Sequence, residues 1–364
     1  MAASAARCAP FSRAVVNSIR KLYPEALADK SWDNTGLLLE APFDPARRRS
    51  NTVLLTIDLT KAVVDEAIEL DASVIVSYHP IIFKGLKSIT LANGQQQSLL
   101  RLAAEGISVY SPHSAIDAAP GGLNDWLADI ITGTPAVLSQ KSSPRRSRSP
   151  AKAFEEDDDP FVVKGGSAYK LQHHPSPRLQ PFDRKLTVTS AAHDRDPVVP
   201  LQVEGAPGAG TGRIVKFKER QTLSILIDRV ARGLGKPKGF PVAVPQGKSI
   251  TEITVSSVGI CAGSGGGLLS GLDVDLLFTG ELSHHEALAA IERGTSVITL
   301  FHSNSERGFL DDVLRTQLEE SVSQEWDRLR ADENDGSDAF QDDEVTIEVS
   351  EQDRDPYGIV VQTG

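Results

Sequence analysis

The chain is poor in sulfur: its 364 residues include two cysteines, Cys8 and Cys261, and one methionine. Two thiols exclude a disulfide framework and any cysteine-rich zinc or iron–sulfur site, and so few fit a reducing compartment. Long apolar runs are missing as well, since none approaches the roughly 18 residues that a membrane helix needs. Nor is positive charge in excess. Lysine and arginine number 38 against 49 aspartates and glutamates, a formal net charge of −11, so the basic footprint of a nucleic-acid-binding protein is absent. The acidity is partly local, because residues 332–344 hold seven acids and no base. We therefore expect a mildly acidic body with an acidic loop, no membrane segment and no direct nucleic-acid binding.

What is present is ordinary for a globular protein, with 40% hydrophobic and 24% charged residues. The length suits two domains or one larger α/β body. Residues 1–24 carry Arg7, Arg13, Arg20 and Lys21 with no acid before Glu25, the bias of a mitochondrial presequence. Phe11, Val15, Ile19 and Leu22 nevertheless recur at helical spacing, which reads as a first helix; a presequence confined to 1–9 is the alternative. The expected compartment is the cytoplasm, with mitochondrion and nucleus as alternatives.

From Asn51 onward strands and helices alternate. VLLTI (53–57), a helix capped by Thr60 and SVIVS (73–77) read as β-α-β with parallel pairing. A helix over 95–105, a strand at 107–110 and a short helix carrying Leu123, Trp126 and Leu127 follow. Residues 139–165 then switch to five bases followed by five consecutive acids, with three prolines, too little apolar surface to offset the entropy of ordering. LTVTS (186–190) is the one strand candidate in the polar stretch beyond. Regular pattern resumes with strands at 212–217, 252–260, 275–280 and 296–300 and helices after Thr222, over 284–294 and over 305–320. A glycine-rich turn, 261–267, lacks the Walker lysine and the dinucleotide spacing, so it reads either as a phosphate cradle or as a packing turn. VTIEVS (345–350) and YGIVV (357–361) close the chain as strands. The expected domains are an N-terminal α/β lobe (10–137), a mostly disordered insertion (138–209), a C-terminal α/β lobe (210–320) and an acidic loop with a closing strand (321–364). The class is α/β, with mixed and parallel sheets flanked by helices.

Polar residues gather just after the strands. Tyr78-His79-Pro80 follows SVIVS, His113 and Asp117 follow ISVY, Glu281 with His284 and His285 follows DLLFTG, and His302 and Glu306 follow SVITL. Ligands bind outside the carboxyl ends of parallel strands. Imidazoles and carboxylates converging there would suit Zn, Mn, Fe, Co or Ni, and the missing thiolates argue against a soft-metal cage. Each residue alone has a plainer reading: His79 a turn residue, Asp117 a helix cap, His284 and His285 a first helical turn, Glu306 a partner of its helix dipole.

Seven strings carry a resemblance: SWDNTGLLL (31–39), SYHPIIFKGLKSI (77–89), YSPHSAIDAAPGGLNDWLA (110–128), GRIVKF (212–217), CAGSGGGLL (261–269), LLFTGELSHHEAL (276–288) and FHSNSERGFL (301–310). In this order they resemble the NGG-one-interacting factor three (NIF-three-like) family, also labelled GTP cyclohydrolase I type 2. SEQDRDP (350–356) is similar to the C-terminal end of its fungal members. The resemblance implies a two-lobed α/β fold, a homo-oligomer (toroidal hexamers of dimers in bacterial relatives) and a dinuclear metal site. It places the ligands on His79, Asp117, His302 and a bridging Glu306, with His113 orienting Asp117 or standing behind the ligands. Bacterial members have two histidines before the proline where this chain has Tyr78-His79, which implies one tight and one weak metal position. Two functions follow as expectations. One is a metal-dependent hydrolase with Glu281 or His113 as proton shuttle. The other is a non-catalytic regulatory protein that binds a transcriptional co-regulator. In the second case the Ser-Pro sites Ser143 and Ser149, beside Arg145, Arg146 and Arg148, form a candidate phosphorylation-controlled segment.

Overall fold

The computed structural model describes residues 8–134, 169–173, 190–333 and 338–362. Helix α1 (Pro10–Leu22) opens on a proline at its first turn and buries Phe11, Val15 and Ile19 along one face. Strand β1 (Gly36–Leu39) precedes β2 (Thr52–Thr56), α2 (Lys61–Glu69) and β3 (Val74–Ser77). The Thr60 side chain caps α2 by accepting from the Val63 amide. Then come α3 (Gly94–Glu105), stopped by Gly106 in the left-handed region, β4 (Ser108–Ser111), α4 (His113–Ala118) and α5 (Leu123–Thr132).

The second half runs through β5 (Tyr169–Gln172), β6 (His193–Asp196), β7 (Val199–Pro200), β8 (Gly210–Thr211), β9 (Arg213–Thr222) and α6 (Leu223–Gly233). It continues with β10 (Val242–Ala243), β11 (Thr254–Ser264), α7 (Gly266–Leu269), β12 (Leu276–Glu281), α8 (His284–Glu292) and β13 (Ser296–Thr299). After a single 3₁₀ turn, α9 (Arg307–Phe309), a π-helical turn (Leu310–Leu314) and α10 (Arg315–Glu333) form one long rod. Strands β14 (Thr346–Val349) and β15 (Ile359–Gln362) end it.

Two mixed sheets result. The first has order β1-β4-β3-β2-β14, with β4, β3, β2 and β14 parallel and β1 antiparallel at the edge. The second has order β10-β13-β12-β11-β9-β6, parallel only across β13, β12 and β11. Strands β2 and β3 are buried throughout, as expected of parallel strands covered on both faces. One apolar core runs through both lobes, joining α1, β2, α5, β9, β11 and α10. Trp326 lies at its heart, edge-on to Phe11 at 5.5 Å and stacked on Phe340 at 5.7 Å. Burying side chains of this size contributes about 1.5–3 kcal/mol each. A buried ion pair adds orientation: the Arg213 guanidinium forks onto both oxygens of Asp125 at 2.8 Å and donates to the Ala119 and Gly210 carbonyls.

Several boundaries differ from expectation. Residues 190–209, read as part of the insertion, carry β6 at the edge of the second sheet, and Leu201, Val203 and Ala209 pack on the core. The last helix runs on to Glu333, well past 320. The closing strand β14 pairs with β2, so the C-terminal segment returns to the first sheet. The glycine-rich stretch continues β11 to Ser264 and then turns into α7; a Cβ at Gly265 or Gly266 would strike Thr279 at 2.4 Å or Glu286 at 2.1 Å. That is the behaviour of a packing turn. Residues 139–165, with their Ser-Pro sites, and all but the last residue of LTVTS fall outside the described residues.

Candidate metal centre

The carboxyl ends of the parallel strands in the two sheets face each other, and the polar residues that follow them meet in the seam. His79 follows β3, Asp58 follows β2, His113 opens α4 after β4, Glu281 ends β12, and His302 and Glu306 follow β13. His79 Nε2 lies 3.5 Å from Glu306 Oε2, and His302 Nε2 lies 3.6 Å from Glu306 Oε1. The ligand atoms of these three side chains lie within 4.8 Å of one another, a group that can hold a metal ion. Glu306 is 1% exposed, and its Oε2 has no hydrogen-bond partner. A buried carboxylate oxygen left unsatisfied is costly, and a cation between it and two imidazoles removes that cost.

The outer nitrogens are occupied. His79 Nδ1 meets Asp58 Oδ1 at 2.8 Å, and His302 Nδ1 meets Glu281 Oε1 at 2.9 Å. Each carboxylate fixes its ring with Nε2 toward Glu306, the arrangement that commonly supports metal-binding histidines. Asp58 is itself held by Arg307, which also pairs with Asp353 at 2.6 Å. Asp353 Oδ2 accepts the Ile57 and Asp58 amides, and Asp355 Oδ2 accepts from the Ser303 amide and hydroxyl. The C-terminal segment thus ties both halves of the seam. From behind, Gly263 at φ +59° comes so close that a Cβ would stand 2.7 Å from Glu306 Oε1 and 3.0 Å from His302 Nε2. A larger residue there would push the Glu306 carboxylate or the His302 ring aside.

Burial alone would lower the His79 imidazole, but the hydrogen bond to Asp58 and the nearby Glu306 carboxylate raise it to about 10. Burial raises the Asp117 carboxyl to about 6, against the opposing pull of His113 and Tyr78. Tyr78, 2% exposed, donates its hydroxyl to Asp117 Oδ1 at 2.7 Å. Burial and then the Asp117 and Glu306 charges push its phenol well above the ordinary value.

Sequence comparisons show the family of the chain, and structure comparisons show its fold. Residues 12–332 match the family model described as Duf34/NIF3 (NGG1p interacting factor 3). The chain belongs to the NIF3 family. It is 42% identical over 310 residues to the protein NIF3 homolog of Schizosaccharomyces pombe, covering 84% of this chain and 88% of the relative. It is 35% identical over 313 residues to the NGG1-interacting factor 3 of Saccharomyces cerevisiae, covering 84% and 90%. Among solved structures, the Bacillus cereus protein related to NIF3 is similar at a TM-score of 0.59 and 20% identity, covering 95% of this chain and 98% of that one. This last likeness concerns the fold alone.

Of the residues singled out by sequence, this NIF3-family chain brings His79, His302 and Glu306 together. Asp117 stands outside that group, bonded to Tyr78. It does not cap α5, whose N-cap is Gly122. Glu281 sits behind His302, and His113 lies beside His79 with ring centroids 5.5 Å apart and its Nδ1 on Asp33 at 2.8 Å. His284 and His285 are exposed in the first turn of α8, which Ser283 and Glu286 close with a capping box. Asp33, Asp58, Asp353 and Asp355 hydrogen-bond around this group, and sequence reasoning did not single them out. Asp58 does carry the same signal as the others, a polar residue directly after the strand VLLTI.

Proposed function

We propose that this NIF3-family chain is a divalent-metal-dependent hydrolase whose ion is held by His79, His302 and Glu306. One observation carries the reading: two imidazole Nε2 atoms, each fixed from behind by a carboxylate, face a buried carboxylate whose Oε2 accepts no hydrogen bond and has only His79 Nε2 beside it, at 3.5 Å. Neutral imidazole with carboxylate suits Zn, Mn, Fe, Co or Ni. A divalent ion at such a set supplies acidification of a water and polarisation of an ester, amide or phosphoryl oxygen. The chain's own residues do the rest. Asp58 and Glu281 orient the two imidazoles, and Gly263 leaves space for the Glu306 carboxylate. His113, held by Asp33, is the group placed to accept or return a proton beside the site. Purification without added metal, followed by metal analysis and a screen of phosphoesters, esters and cyclic amidines, tests this. Bound metal and turnover, both lost in Glu306→Gln, are expected; a metal-free wild type after incubation with all five ions would refute it.

A second reading is an interaction protein that assembles with itself and binds a transcription regulator. The Saccharomyces relative is named for interaction with NGG1. Trp32, Phe83, Leu86, Ile89 and Leu91 are exposed, with Trp32 and Phe83 6.1 Å apart. An exposed apolar patch of this kind favours a partner surface. Light scattering on wild type and on Phe83→Asp/Leu91→Asp checks it: an oligomer that the double variant dissociates supports the reading, and a monomeric wild type with no affinity for NGG1 removes it.

A further inference from the structure

We propose that this chain holds one divalent ion and that the Tyr78–Asp117 pair closes the position a second would need. The inference rests on the metal centre proposed above and fixes its stoichiometry. His79, His302 and Glu306 make a complete three-ligand set, whereas Asp117, the fourth residue that family resemblance would supply, is not within it. Its Oδ1 is taken by the Tyr78 hydroxyl at 2.7 Å. That phenol is 2% exposed, with its ring packed 5.3 Å from His113 and 5.1 Å from His79, so it cannot swing aside without opening a void.

The other groups near Asp117 are committed. Asn124 donates to the Asp117 carbonyl at 3.0 Å and accepts from the Ala262 amide at 2.9 Å, which uses both ends of its amide in fixing α5 to β11. Cys261 Sγ donates to the backbone carbonyl of Ala262 at 3.3 Å. His113 has its Nδ1 on Asp33, and with Asp117 and Glu306 it forms no second three-ligand group among the described residues. A second ion would have to share Glu306 and compete with the Tyr78 hydroxyl for the Asp117 carboxylate. In return it would gain one carboxylate and a neutral phenol, a poor donor set beside the two imidazoles and carboxylate of the first position. A single ion with three protein ligands keeps coordination positions open to water and substrate, as in catalytic sites. It also rules out the two-metal clamp on attacking and leaving oxygens, and so favours substrates activated by one Lewis acid.

The test is a count. Wild type is dialysed against excess Zn²⁺ or Mn²⁺, metal per chain is measured, and the Mn²⁺ form is examined by electron paramagnetic resonance. Tyr78→His is treated in the same way. We expect one equivalent and an uncoupled signal in wild type, and a second equivalent with an exchange-coupled signal in Tyr78→His. Two equivalents, or a coupled pair, in wild type would overturn the inference. A variant that folds but stays at one equivalent would overturn the role given to Tyr78. If the variant does not fold, the wild-type count and signal decide alone. No metal in wild type would instead overturn the underlying metal centre, so the two failures are distinct.

Discussion

Replacing Gly263 with alanine should damage the candidate centre without touching any ligand. Gly263 sits at φ +59°, in the left-handed region, where a side chain costs about 1–2 kcal/mol. Its new Cβ would also stand 2.7 Å from Glu306 Oε1 and 3.0 Å from His302 Nε2. The backbone cannot retreat easily, because the Gly263 amide donates to Ser305 Oγ at 2.8 Å and its carbonyl accepts from Thr279 Oγ1 at 3.1 Å. Overpacking of that kind costs about 1–3 kcal/mol, for a total of about 2–5 kcal/mol. At roughly 2 °C per kcal/mol for a chain of this size, the Tm should fall by about 4–10 °C. Turning the carboxylate aside should also weaken metal binding at least about tenfold, or 1.4 kcal/mol. Gly271 supplies the control: at φ +82° it has the same conformational need, but nothing lies within 4 Å of its would-be Cβ. Gly271→Ala should therefore lose only the conformational share and bind metal normally. Calorimetric unfolding and metal titration of both variants decide the matter. Equal Tm losses and unchanged metal affinity in both would refute the close approach of Gly263 to the carboxylate.

Glu306→Gln should abolish metal binding at micromolar concentrations and, by removing the charge that faces His79 Nε2 at 3.5 Å, should lower metal-free stability at neutral pH; titration and denaturant melts measure both. His79 is raised to about 10 in the metal-free protein. A raised imidazole contributes stability that is full below its unfolded value of about 6.5 and lost as pH rises through 10. Metal-free protein should thus weaken between those limits. Metal binding at pH 8 should release about one proton, readable by calorimetry in buffers of different ionisation enthalpy; no release would contradict the raised imidazole. Asp353→Ala strips the Ile57 and Asp58 amides and Arg307 of their buried acceptor. A loss of about 3–5 kcal/mol should appear as a Tm drop; a drop under about 1 °C would show that the C-terminal tie is dispensable.

The strand-end rule points to this candidate group because parallel strands end at a common edge. His79, Glu281, His302 and Glu306 were therefore legible from the apolar runs before them. The supports were harder, since they act across the chain: Asp58 meets His79 across 21 positions, and Asp353 meets the Ile57 amide across 296. No local spacing encodes such pairs. Strand β6 was missed for a different reason. Its sequence, HDRD, is polar because it lies at a sheet edge, where Arg195 reaches Asp125 and Asp129. Burial periodicity has nothing to register there. His302 and Glu306 stand four apart, and the chain brings them together through a 3₁₀ turn over 303–305, with Glu306 at its end. Spacing of four survived because a tight turn, like a helix, brings such residues to one side.

The placement of the ligands has an energetic corollary. His79 comes from the first sheet, and His302 and Glu306 come from the second. The Arg307–Asp58 and Arg307–Asp353 pairs cross the same seam, as does the Arg213–Asp125 pair further along it. An ion bound there would be a contact between lobes as much as a cofactor. Ligand that binds the folded state alone stabilises it by about 2.7 kcal/mol at a hundred times its Kd. The increment would fall on the junction that positions Asp58 behind His79 and Glu281 behind His302. Occupancy and lobe docking should therefore reinforce each other. Without the ion, the Glu306 Oε2 has the raised His79 imidazole at 3.5 Å beside it, and an ion would displace that proton as it completes the site.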